Sequence, residues 1–253
     1  SASMPIVMLV MAATATSPLS GFRQSPWFGE FVREQCWLDG VRVLVNAPET
    51  FNPSKPTMLV IFATPNGNTI EQTLGCVKSE GLDWHFDIQH VAAQIRQVRG
   101  KTQDKNIVLA CLEAEVLSWP AWKRKQKDGP KRIREIVEEV RGWIPSSDVR
   151  LTLACHSGGG SLLFGFLDSA PTIPPYVERI VFLDANYSYS DADKHGDKLL
   201  AWLNGDKSRR LVVVAYDDRK ITLNDKLVVG PDGGTFRATE RMKARFAQSV
   251  ELK

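Results

Sequence analysis

Short apolar runs alternate along the chain with stretches in which apolar residues recur at helical spacing. Residues 57–63 (TMLVIFA), 106–112 (NIVLACL), 149–155 (VRLTLAC), 179–184 (RIVFLD) and 209–215 (RRLVVVA) have the length and near-continuous apolar character of strands buried on both faces. Residues 89–98, 131–143, 161–168, 198–204 and 238–248 read as helices. In 131–143, Ile133, Ile136, Val137 and Val140 fall on one helical face. Residues 31–46 read as two strands joined around Leu38-Asp39-Gly40, where Asp-Gly supplies a hairpin turn, and 53–56 is a loop. This alternation predicts an α/β protein with a mostly parallel central sheet flanked by helices. No repeat, low-complexity tract or Pro/Gly/Ser linker divides the 253 residues, so a single domain over 1–253 is expected.

Residues 151–161 read LTLACHSGGGS. A buried strand runs into a Ser followed by Gly, and a helix begins at once, which is the mechanical requirement of a nucleophile elbow. So tight a turn needs small residues two before and two after the nucleophile, here Cys155 and Gly159. The turn would hold the Ser157 hydroxyl above the sheet, beside backbone N–H groups at a helix N-terminus. A phosphate-binding turn would require a Lys that does not follow. A tight turn with a purely structural role is the other reading. His156, next to the nucleophile, is expected to point its ring away from the hydroxyl and to be structural.

On these residues the chain resembles the α/β-hydrolase superfamily, particularly its esterases, over about residues 31–253. It departs from their G-x-S-x-G pattern by Cys155 at the first position. The resemblance implies an oxyanion hole built from the N–H of Gly158 and from the loop Thr64-Pro-Asn-Gly-Asn-Thr69, where Asn66 and Gly67 stand where many relatives have His-Gly. On that segment alone a plain Pro-Asn-Gly turn reads equally well. It also implies the order Ser, acid, His. The acid is expected after 209–215, at Asp218 in preference to Asp217, with Asp184 at the end of the intervening strand as runner-up. Capping of a strand end is the alternative role for these carboxylates. No histidine follows His195, and residues 249–253 read as the beginning of the last strand. The expectation is therefore that this last strand and its His loop lie outside the sequence. His195, in the polar loop 190–197, is the internal substitute, and His85 and His90 stand outside the usual position.

Composition narrows the partners. The chain is 43% hydrophobic and 24% charged, as globular proteins are, and its net charge is +3 from 32 basic and 29 acidic residues. That balance gives no case for nucleic acid or an anionic membrane surface. Lys123-Arg124-Lys125-Gln126-Lys127, with Lys131, Arg132 and Arg134, reads as the solvated start of a helix rather than a phosphate site, because Glu135, Glu138 and Glu139 follow. The four cysteines show neither CxxC nor metal-ligand spacing, and Cys111 and Cys155 lie in apolar runs. No metal or cofactor is expected. Residues 4–15 form an apolar run ending in small residues but lacking a preceding Lys or Arg, so a signal peptide within 1–20 and an N-terminal strand or tail stand as alternatives. Secretion or a periplasmic location would follow from the first, a cytoplasmic one from the second. The run is too short to span a bilayer. Trp84, Trp119, Trp122, Tyr187 and Tyr189 fit either a substrate groove or a core. The expected function is hydrolysis of a small-molecule or polymeric carboxylic ester through an acyl-enzyme on Ser157. An amidase or peptidase with the same machinery, and a non-catalytic hydrolase-fold binding protein, are the alternatives.

Overall fold

Strands form where the apolar runs predict them, and the computed structural model describes residues 19–83 and 89–249. In chain order they are β1 (Arg23–Gln24), β2 (Phe31–Cys36), β3 (Arg42–Ala47), β4 (Thr57–Ala63), β5 (Asn106–Glu113), β6 (Val149–His156), β7 (Val177–Leu183) and β8 (Arg210–Val214). They make one sheet in the order β1-β2-β3-β5-β4-β6-β7-β8. The expected hairpin joins β2 to β3, its turn closed by the Gly40 N–H on the Trp37 carbonyl, with Gly40 at φ +83°. From β5 to β8 every pairing is parallel, while β3 runs antiparallel to both neighbours. β5 and β4 sit at the centre, and this is why they carry the longest uninterrupted apolar sequences.

Alternate residues of β4 enter two cores. Leu59, Ile61 and Ala63 face the larger one, closed by helices α3 (Trp119–Lys125), α4 (Gly129–Gly142), α5 (Gly160–Asp168), α6 (His195–Gly205) and α7 (Thr235–Phe246). Met58 and Phe62 face a smaller core closed by α1 (Ile70–Leu74) and α2 (Val91–Lys101). This is the doubly covered parallel sheet the periodicity predicts. A short hairpin of β9 (Thr222–Leu223) and β10 (Lys226–Leu227) stands apart from the sheet.

Several expectations change. The basic run at 123–127 is the last turn of α3 and the loop after it, not the start of a helix; cations suit a helix C-terminus. Trp119 and Trp122 are 1% exposed and Tyr189 3%, so these aromatics are core rather than groove. Cys36, Cys76, Cys111 and Cys155 are all free. Trp84, His85, residues 4–15 and most of 249–253 lie outside the described residues. Among the described residues no helix is long and apolar enough to cross a membrane.

The smaller core is closed by a buried ionic clamp. Glu30, 4% exposed, accepts from Arg99 at 2.7 Å, from Arg96 at 2.9 Å and from Asn46 at 3.2 Å. Arg99 also donates to the carbonyls of Asn46 and Ile107, each at 2.8 Å, so α2 is tied to β3 and β5. Burial pushes the Arg99 guanidinium down to about 10 against the raising effect of Glu30. Removing the carboxylate would leave two guanidinium groups uncompensated. Glu30→Ala should therefore cost about 3–5 kcal/mol in denaturant unfolding; a loss below about 1 kcal/mol would show the clamp to be dispensable.

Candidate active site

β6 delivers His156 and then Ser157, the first residue of a one-turn 3-10 helix, Ser157–Gly159, that runs directly into α5. Ser157 is half-buried and held at φ +47°, a left-handed conformation that serine rarely adopts. The three glycines after it are required by close backbone approach. A Cβ on Gly158 would collide with the Asn66 side chain, on Gly159 with the Ala63 carbonyl, and on Gly160 with the Ala185 carbonyl. The turn is thus wedged between the chain leaving β4 and the chain leaving β7. Before it, Cys155 is fully buried, and burial pushes its thiol well up, so it stays protonated.

The loop after β4 reaches the elbow through Asn66, whose side chain lies over Gly158. Gly67 takes φ +77°, and its N–H donates to the Leu117 carbonyl at 2.9 Å. That amide is therefore committed to Leu117. Buried Asn68 braces the turn, donating to the Asn66 carbonyl at 3.1 Å and accepting from Gln89 at 2.7 Å. A contact the sequence did not signal comes from Tyr187. Its hydroxyl lies 3.1 Å from both the Gly158 carbonyl and the Ser161 hydroxyl, joining the elbow to α5.

The candidate acids separate. Asp217 is exposed and bound to Arg219 at 2.7 Å and 2.8 Å; that hydrogen bonding pulls its carboxyl down to about 2. Asp218 is half-buried and accepts from the N–H groups of Thr235 at 2.8 Å and Phe236 at 3.4 Å, at the N-terminus of α7. Asp184, at φ +49°, accepts from the Thr235 hydroxyl at 2.5 Å and the Tyr216 N–H at 3.3 Å. The same hydroxyl is 3.3 Å from Asp218. Thr235 therefore gathers both carboxylates, and nothing in the sequence around it marks that role.

His195 is not placed to serve Ser157. Its ring is 2% exposed, with Nε2 2.7 Å from Asp168 and Nδ1 accepting the Ser190 N–H at 3.1 Å. Nδ1 as acceptor leaves the proton on Nε2, so both nitrogens are engaged. Asp168 is the last residue of α5, whose nine residues span about 14 Å from the elbow end. The polar surroundings in sequence concealed a core position against Phe164, at 4.7 Å between ring centroids. Among the described residues no group of three or more His, Cys, Asp or Glu could hold a metal ion.

No family model and no curated protein matches this chain. Among solved structures it is similar to poly(aspartic acid) hydrolase-1 from Sphingomonas sp. KT-1, at TM-score 0.52 and 14% identity over 87% of this chain and 84% of that one. It is also similar to a thermostable esterase, at TM-score 0.50 and 12% identity over 91% of this chain and 52% of that one. The feruloyl esterase module of Clostridium thermocellum aligns at TM-score 0.49 and 10% identity, over 78% and 73% of the two chains. At such identities the likeness is one of fold, and the chain has the α/β-hydrolase fold.

His156 gives the site a dependence on pH. Burial holds its imidazole below the ordinary range, and the Asp184 carboxylate works against that effect. The unfolded chain takes up this proton near pH 6.5, whereas the folded chain takes it up only at lower pH. The stabilisation is therefore full above that pH and is lost as pH falls through the depressed value. Thermal midpoints measured from about pH 7.5 to about pH 5 should fall, and fall less steeply in His156→Gln. Parallel slopes in the two proteins would contradict the shift.

Proposed function

We propose that this protein is a serine hydrolase that cleaves carboxylic esters through an acyl-enzyme on Ser157. The observation that carries the reading is the conformation of Ser157, a left-handed non-glycine residue on a half-buried strand-to-helix turn. Such strain costs about 1–3 kcal/mol and persists where the surroundings enforce it and function uses it. The fold shared with solved hydrolases supports the reading.

In the proposed reaction Ser157 Oγ adds to the ester carbonyl while a histidine takes its proton. The N–H groups of Gly158 and Asn66 receive the developing oxyanion. The alcohol leaves with the histidine's proton, and a water activated by the same histidine then releases the acid. Asp218 is the preferred acid: two helix N–H groups fix its carboxylate, and its remaining lone pairs are free to orient an imidazole. Asp184, sharing Thr235, is the runner-up. The base is assigned outside the described residues, because His195 lies a helix length away, His156 is buried on β6 and His90 stands against Gly75 at the start of α2.

A fluorophosphonate probe should label the protein, and Ser157→Ala should abolish the labelling. His195→Ala should keep the labelling rate within about twofold while lowering stability by about 1–3 kcal/mol through the unpaired Asp168 and Ser190 groups. Absence of labelling would favour the binding-protein alternative. Loss of labelling in a folded His195→Ala protein would make His195 the base.

A further inference from the structure

The turn between β5 and α3 carries more backbone strain than its packing explains. Val116 and Leu117 are consecutive left-handed residues at φ +54° and +51°. A β-branched residue in this region is a genuine outlier, whereas Gly or Asn would take the same conformation readily. Val116 gains nothing from burial in return, since it is 75% exposed. The turn is pinned on both sides: Glu115 pairs with Lys125 at 3.0 Å, and the Ser118 hydroxyl caps α3 by accepting the Ala121 N–H at 3.3 Å.

The strained backbone aims the Leu117 carbonyl at the Gly67 N–H and so fixes the turn whose Asn66 lies over Gly158. Val116 is consequently held one residue from the contact that sets the proposed oxyanion donors, with its apolar side chain turned to solvent. Strain at a functional edge that repays no local packing points to a ligand contact.

We infer that Val116 is the apolar contact for the non-reacting part of the ester and sets the preference for longer aliphatic substrates. This rests on the reading of Ser157 as the nucleophile. A surface valine that loses water against three or four methylene groups accounts for about a fivefold preference.

The test compares p-nitrophenyl hexanoate with p-nitrophenyl acetate. In Val116→Asn, which accepts the left-handed backbone, the hexanoate-to-acetate ratio of kcat/KM should fall about fivefold with the thermal midpoint held or raised. Val116→Gly should behave alike. A second arm uses Ser157→Ala, in which the intact esters bind without turnover. There the added Val116→Asn change should weaken hexanoate binding about fivefold and leave acetate binding unchanged. If the unsubstituted protein neither hydrolyses these esters nor takes the fluorophosphonate label, the nucleophile assignment fails, and the binding arm alone decides the role of Val116. Ratios and binding within about twofold of the unsubstituted protein in both variants would overturn the inference.

Discussion

The turn that carries Ser157 forms only because three stretches of main chain come closer than side chains permit. Gly158, Gly159 and Gly160 meet Asn66, the Ala63 carbonyl and the Ala185 carbonyl in turn, so the chains leaving β4, β6 and β7 are locked at one place on the sheet. Protein interiors are close-packed and transmit strain. Any shift of β4 or β7 along its ladder is therefore felt at Ser157. The geometry of Ser157 is set by the sheet rather than by the loop that bears it.

That dependence runs outward to α7. Thr235, far along the chain, uses its N–H on Asp218 and its hydroxyl on Asp184, binding the ends of β7 and β8 to a helix N-terminus. Two carboxylates in one place repel each other unless donors and positive charge answer them. Here the unpaired N–H groups of the first turn of α7 supply both. Three residues beyond Asp184, Tyr187 has a comparable task, fixing the Gly158 carbonyl and the Ser161 hydroxyl together. The turn is held from both neighbouring strands.

The fold was legible because burial on both faces leaves an unmistakable trace. Residues 58–63 are apolar throughout and lie within β4. The Ser-Gly-Gly-Gly turn was legible for a related reason, since only small residues fit where backbones touch. Short elements were not: α1 has five residues and α3 seven, too few for periodicity to show. Side chains whose role depends on distant partners were also hidden. Tyr187 fitted a groove or a core equally, Thr235 carried no signal, and Gly67 gave no sign that Leu117 would take its amide. His195 misled for the opposite reason, because charged neighbours in sequence said nothing of the helix packing that buries it.

The thiols record this architecture in their reactivity. Cys36 is exposed and Cys76 half-buried, whereas Cys111 and Cys155 are sealed on the two central-sheet strands β5 and β6, where burial disfavours their thiolates. Alkylation requires the thiolate and access to it. A pulse of iodoacetamide on the native protein should therefore mark Cys36 at once, while Cys155 can react only when β6 parts from its neighbours. Cys155 stands two residues before Ser157, so its modification is a clock for opening of the sheet beneath the elbow, independent of catalysis.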